Sequence, residues 1–506
     1  MSASSGASSS FDDSLLEGRM KQNLAYIGDS LGHSQDLVAR ELTLPFDIRC
    51  ALVYIDGITD PQLLHHAVID SLLGLGGSED AVQLSRLDKS ERLRYLSDRV
   101  LAAGDIHPLK DWNSLFQDLL SGDAILFADE CGGALRIGVG GLEERAVGEP
   151  VSQSVTRGPM EAFNESLRTN TALLRRKIKD TRLRMDSLRI GRVTKTNVTV
   201  TYLQGIAKEE IVAEVHRRLG KIDIDGVLEG GYIEEFIQDQ TLTPFPTVYN
   251  SERPDTIAAG LLEGKIAILV DGTPFVLLVP ALFVEFFQAS EDYAQRFDIS
   301  TLIRIIRYIS FFITTLAPAL YVAITTFHQE MLPTNLLINL AAQREGVPFP
   351  AVIEAILMEV TYEILREAGI RMPRTVGQAV SIVGTLVIGQ AAVQAGIVSA
   401  AMVIIVSITA IASYVIPSGS MSMSARMLRF LFMVLAASFG LFGVIIGLIG
   451  LVLHLSSLRS FGVPYMAPMS PIIMSDIKDS LFRFPWTMMK KRPWSTASPN
   501  NRRREN

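Results

Sequence analysis

Between Arg374 and Arg426 lie 51 consecutive residues without a single Asp, Glu, Lys or Arg. A helix needs about 20 apolar residues to cross the hydrocarbon core of a bilayer. The stretch therefore holds two helices, 376–395 and 397–416, joined at an Ala395–Gly396 corner. Two further gaps behave alike: 22 residues between Arg307 and Glu330, and 29 between Arg429 and Arg459. They place single helices at 304–327 and 430–453. The buried core helix of a soluble protein explains one such gap, not all of them. An all-α, multi-span membrane domain is expected over 299–475.

The rest of the chain is of another kind. Residues 1–298 carry 30 Lys+Arg and 45 Asp+Glu, whereas 299–506 carry 17 and 9. A net hydrophobic content of 48% with 20% charge is thus the average of two populations. This excludes a single globular enzyme, a disordered chain and a nucleic-acid binder built on a basic domain. The opening MSASSGASSSFDDS has neither a basic stretch nor an apolar core, so no signal peptide is read there and the front half is expected to stay cytoplasmic. Residues 1–38 read as a disordered Ser-rich tail. A first α+β subdomain follows over 39–148. It has a strand at CALVYI, an Asp56-Gly57 turn, a helix opening at Pro61, and a hairpin over 123–140. A second α+β subdomain spans 157–298. Its strands lie near 182–190 and 195–203, and its hairpin folds about Asp271-Gly272, an Asp-Gly between two apolar runs. The fold class is therefore a two-lobed soluble α+β region followed by a helical membrane domain, with a basic tail at 476–506.

A fifth membrane helix, 349–368, breaks the pattern. It is apolar enough to insert but carries Glu354, Glu359, Glu363, Arg366 and Glu367. At about 100° per residue, Glu359, Arg366, Glu363 and Glu367 fall about 140°, 120°, 180° and 220° from Glu354, as one polar stripe. Ionisable groups at membrane depth usually face a bundle interior or water. The stripe fits a water-facing inserted helix or an amphipathic helix lying in the interface. The candidate lining residues are Glu354, Ile356, Glu359, Val360 and Glu363. Basic residues favour the cytoplasmic side, and they cluster at Arg304/Arg307, Arg366/Arg371/Arg374, Arg426/Arg429 and the tail. Five spans would put the tail outside. Either 349–368 is re-entrant or 456–475 dips back.

Gly440, Gly443, Gly447 and Gly450 form a small-residue stripe suited to close helix packing or subunit assembly. Gln390 and Gln394, four apart, need partners across helices or in a wet cavity. Chemistry is otherwise sparse. No phosphate loop, GxSxG or HExxH is present; His65, His66, His328 and His454 are read as structural. Cys50 and Cys131 are expected to be buried thiols. No catalytic residue, cofactor or metal is assigned.

Long stretches carry a resemblance: RGPMEAFNESLRTNTALLRRKIKD (157–180), SERPDTIAAGLLEGKIAILVDGTPFVLLVP (251–280), ALYVAITTFHQEMLPTNLL (319–337), PFPAVIEAILMEVTYEILREAGIRMPRTVGQAVSIVGTLVIGQAAVQAG (348–396) and HLSSLRSFGVPYMAPMSP (454–471). After about residue 40 the chain resembles the A subunits of GerA-type nutrient germinant receptors of endospore-forming bacteria. The resemblance implies a cytoplasmic two-lobed domain and a membrane domain in the inner spore membrane. It implies two partners, a transporter-like B subunit that holds the nutrient and a lipoprotein C subunit. It also implies an oligomer of A subunits acting as a nutrient-gated channel. On that basis helix 349–368 is expected to line a central axis, with Glu359 and Glu363 repeated as acidic rings that favour cations. Ile356 and Val360 would form a dry constriction. The alternative is a non-conducting receptor scaffold.

Overall fold

The computed structural model describes residues 19–76, 79–141, 148–153, 155–372, 389–497 and 502–503. The chain divides into an α+β unit (up to Ile237, Asn250–Pro280 and from Lys491) and a helical unit (Gln238–Tyr249 and Ala281–Lys490).

The α+β unit contains two lobes, each built on a five-stranded sheet. The first has β1 (Leu37–Leu44), β2 (Ile48–Ile55), β3 (Ile106–Leu109), β4 (Ala124–Ala128) and β5 (Ala134–Ile137), ordered β1-β2-β4-β5-β3. Side chains alternate across a strand, and β2 shows the consequence. Cys50 and Leu52 join the core on one face, with Leu64, Val68 and Leu96. Ala51, Val53 and Ile55 join the other, with Trp112, Phe116 and Leu119. Both faces are covered, which is why CALVYI reads as a continuous apolar run. Cys50 and Cys131 are free and buried. The tail expected over 1–38 is ordered in its second half. Helix Met20–Ser30 buries Met20 and Ile27, and β1 begins at Leu37. The mixed polarity of this segment hid its narrow apolar edge; residues 1–18 lie outside the described residues.

The second lobe repeats the first. Its strands β6 (Leu183–Ile190), β7 (Thr196–Leu203), β8 (Tyr249–Ser251), β9 (Ile266–Val270) and β10 (Val276–Val279) are ordered β6-β7-β9-β10-β8, the same topology. A helix precedes each sheet, Met20–Ser30 in one and Leu167–Lys177 in the other. The turn DGITDPQ (56–62) has its counterpart in QGIAKEE (204–210), and SGDAILF (121–127) in EGKIAIL (263–269). The lobes differ where the edge closes. In the first, Thr59 bridges Gly140, just past β5; in the second, Ala207 bridges Ala497, from the C-terminal segment. The chain has left the second lobe after β10, and the tail takes the vacated place. Lys208 Nζ donates to the carbonyls of Trp494 (3.1 Å) and Ser495 (2.8 Å), and Thr496 Oγ1 donates to Glu263 O (2.8 Å).

The helical unit is built from Phe297–Phe327, Thr334–Arg344, Ala351–Arg371, Gly389–Gln394, Ala400–Val415 and Gly419–Ser457. Phe297–Phe327 and Gly419–Ser457 are long and apolar enough to cross a membrane. The first begins seven residues before the expected 304, so Arg304 and Arg307 lie inside it. Both are buried: Arg304 pairs with Asp292 (3.2 Å) and Asp479 (3.1 Å), and Arg307 with Asp292 (2.8 Å) and Glu291 (3.0 Å). Helix 397–416 is observed as Ala400–Val415. Helix 376–395 lies largely outside the described residues; its end, with Gln390 and Gln394, is exposed.

The expected helix 430–453 is instead part of a hairpin. Gly440 has φ 61° and ψ −143°, outside helical space and accessible to glycine without a Cβ penalty. A Cβ on Gly447 would lie 2.7 Å from Phe432, a residue about 22 Å away in a straight helix. Ser424 Oγ donates to Pro244 O, and His454 Nε2 is 2.9 Å from Thr243 Oγ1, so the two ends meet at one short segment. The arms run out from 419 to 439 and back from 441 to 457. The segment from Lys491 is grouped with the α+β unit.

Candidate functional site

Helix Ala351–Arg371 sets the site. Pro350 precedes it, where the absent N–H is harmless. Its two ends are held differently. Near the start, Glu354 Oε1 accepts from Ser399 N (2.6 Å) and Ser399 Oγ (2.5 Å), and Arg344 Nε lies 4.0 Å from Oε2. Ser399 caps helix Ala400–Val415 by accepting from Met402 N. Near the other end, Arg366 lies over the Tyr414 ring at 5.3 Å. The two helices therefore run parallel and side by side.

Glu359 and Glu363 of the acidic stripe are turned inward, while Glu367 is exposed and pairs with Arg371. Arg429 Nη1 lies 2.9 Å from Glu359 Oε2, and Arg429 Nη2 lies 2.9 Å from Glu363 Oε1. Arg426 Nη1 reaches Glu363 Oε2 at 2.5 Å. Glu359 and Arg429 are 0% exposed, and Glu363 only partly. Two arginines and two glutamates make a neutral quartet, the arrangement that limits the cost of burying charge. The adjoining face is apolar and open: Ile353, Leu357, Val360 and Ile364 are each more than a third exposed. Their 4-3-4 spacing is that of a helix-packing seam. Below it, Val360, Ile364, Ala368 and Phe430 line a shallow groove of about 540 Å³, edged by Glu363, Glu367 and Arg371.

A family model described as "Bacillus/Clostridium GerA spore germination protein" matches residues 25–495. The chain belongs to the GerA family. Among its GerA relatives, spore germination protein KA of Bacillus subtilis is 50% identical over 96% of this chain and 88% of that protein. Spore germination protein GerLA of Bacillus cereus is 40% identical over 94% and 96%. A protein described as the uncharacterized membrane protein YfkQ of Bacillus subtilis is 44% identical over 97% and 94%. Among solved structures, the N-terminal domain of the A subunit of the Bacillus megaterium spore germinant receptor GerK3 is 40% identical. It covers 54% of this chain and 98% of that one, with a TM-score of 0.43.

Of the residues singled out in this GerA chain, Glu354 is buried at one end of helix 351–371. Glu359 and Glu363 are gathered at its middle. Ile356 is half-buried beside them and Val360 is exposed. The glycines part company. A Cβ on Gly440 would meet His328 (2.8 Å) and Phe327 (3.0 Å), one on Gly443 would strike Leu435 O, and one on Gly450 would meet nothing. Gly443 and Gly447 thus let the hairpin arms approach each other. Arg426 and Arg429 were legible only as anchors of orientation. Their i,i+3 spacing on one helix, opposite Glu359 and Glu363 at i,i+4 on another, was the signal of a pairing. The segment Gln238–Tyr249, read as part of the second lobe, gave none: it belongs to the helical unit, where Thr247 O accepts from Ser460 Oγ (2.7 Å).

Proposed function

We propose that this chain is the A subunit of a nutrient germinant receptor, and that several copies surround an axis lined by helix 351–371 to form a nutrient-gated cation channel. The observation that carries this reading is the two-sided character of that helix. It has an apolar seam, Ile353, Leu357, Val360 and Ile364, left open. Glu359 and Glu363 stand on the adjoining face. An apolar lining excludes water and ions, whereas acidic rings favour cations. The helix carries the elements of both states.

The reading includes a transporter-like B subunit that holds the nutrient and a lipoprotein C subunit, with the α+β unit on the cytoplasmic side of the inner spore membrane. Nutrient bound at the partner biases a two-state equilibrium toward the conducting form. The role is not enzymatic. The rival reading, a non-conducting scaffold that relays the signal, is favoured by the closed neutral pairing of Glu359 with Arg429. The two separate electrically. The complete receptor in liposomes passes potassium on nutrient addition if it is a channel, and E359Q/E363Q reduces that flux by about tenfold or more. Undiminished flux in the double variant removes Glu359 and Glu363 from the pore, and no flux in the wild type leaves the scaffold.

A further inference from the structure

Resting on the channel reading, we propose that Arg426 and Arg429 form a latch that holds the conducting face of helix 351–371 turned into the bundle, and that gating is the release of this latch by rotation of the helix. Arg426 and Arg429 are positioning residues. They stand one turn apart on the outgoing arm of the hairpin and take Glu363 from two sides, at 2.5 and 2.9 Å, with Glu359 at 2.9 Å.

The geometry of the helix makes the two faces exchangeable pair for pair. Val360 follows Glu359 and Ile364 follows Glu363 in sequence. Consecutive residues stand about 100° apart around a helix. A rotation of about 100° therefore replaces both open aliphatic side chains by both carboxylates. The glutamates cannot make that turn while the arginines hold them, because leaving two guanidinium groups buried and unpaired is costly. The cost of unpairing both arginines sets the bias toward the resting state, and hydration of the carboxylates at the axis offsets part of it in the rotated state. A handle sits beside the latch. Ser424, two residues before Arg426, donates through Oγ to Pro244 O, in the segment 238–249 that the chain of the second lobe sends into the helical unit. A pull on that segment bears on the arm that carries both arginines.

The test is potassium efflux from liposomes holding the complete receptor, measured without any nutrient and normalised to the amount of receptor. R426Q and R429Q are expected to raise nutrient-independent efflux by about tenfold or more, the effect of a bias near 1.4 kcal/mol in a two-state equilibrium. In the same vesicles a membrane-impermeant thiol reagent is expected to modify I356C, on the glutamate face but outside the ion pairs, in the R426Q background without nutrient. With both arginines present it should modify I356C only after activation. A merely structural role of the arginines would lower receptor yield without opening a path or exposing position 356. Where R426Q or R429Q fails to accumulate, R426K and R429K keep the charge but lose the bidentate fork, and intermediate efflux is expected. Arginine variants that accumulate and stay as tight as wild type overturn the latch while nutrient-triggered flux leaves the channel intact. A wild-type receptor that passes no potassium under any condition overturns the channel reading instead.

Discussion

The two lobes of the α+β unit share a strand order and differ in how each finishes its edge. The first is self-sufficient: the segment after its last hairpin returns to bridge Thr59. The second keeps its last hairpin, but the chain leaves after β10 and the edge closes on Ala497 instead. The glycines at the crossing point record the equivalence. A Cβ on Gly122 would lie 2.6 Å from Ile58 O and 3.3 Å from Gly140. One on Gly264 would lie 3.0 Å from Ile206 O and 2.8 Å from Ala497. Both have positive φ, 108° and 86°. The same edge position is thus filled from within the first lobe and by the C-terminal segment in the second.

The largest effect is expected at the joint between the lobes. Arg175 is almost fully buried and donates from Nε and Nη2 to the Asp36 carboxylate (2.9 and 3.1 Å) and from Nη1 to Leu183 O (3.2 Å). Arg168 adds a more exposed pair to Asp56 at 2.6 Å. R175A strands Asp36 and is expected to cost about 3–5 kcal/mol. Hydrogen exchange should then show the two sheets opening in separate steps in place of one. A single concerted opening in R175A would mean that the lobes are held by apolar contact alone.

Next comes the borrowed edge. Deleting 491–506 removes the hydrogen bonds of Lys208, Thr496 and Arg492, together with the Arg503–Glu263 pair. At about 1 kcal/mol for each of the four hydrogen bonds, the loss is about 4 kcal/mol. It is confined to the second lobe: amides at 206–208 and 263–266 should exchange faster, while 58–60 and 122–125 stay as they were. Glycine variants sharpen the contrast. G122A and G264A should each cost more than about 1 kcal/mol, since alanine is strained at positive φ. Deleting the tail should relieve part of the cost of G264A and none of that of G122A. Equal non-additivity at both positions would show that Gly264 is constrained by its own turn and not by Ala497.

How much of this was legible varied with the physics behind each element. The Asp-Gly turns, the paired β-branched runs and the charge gaps each have a local cause, and the strands and the helices near 304–327 and 397–416 were read from them. The repeat was not read, because its lobes share topology and two short turns while their helices diverge. The bend at Gly440 was invisible for the opposite reason. Apolar residues continue through it without a break, and a glycine stripe reads equally as a packing surface or as a turn. At the site, the acidic helix was found by its misplaced charges. Their partners were missed because Arg426 and Arg429 sit 63 or more residues away, where only tertiary packing could join them.

The smallest effect separates the lobes by pH. Glu234 lies on helix Gly230–Ile237 of the second lobe. Burial pushes its carboxyl up to about 7 from an ordinary 4.5; a hydrogen bond with Asn250 opposes the rise and the charge of Glu229 adds to it. The folded chain then holds this proton more tightly than the unfolded chain. The stabilisation is complete below pH 4.5 and is lost as pH climbs through 7. For a side chain that water partly reaches, the change is about 1–2 kcal/mol. E234Q keeps the shape and removes the titration. It should be no less stable than wild type at pH 8, and the amides of the second lobe should lose their extra lability between pH 5 and 8. If wild type and E234Q show the same pH slope across that window, Glu234 is ionised in the folded lobe and its burial is relieved by solvent.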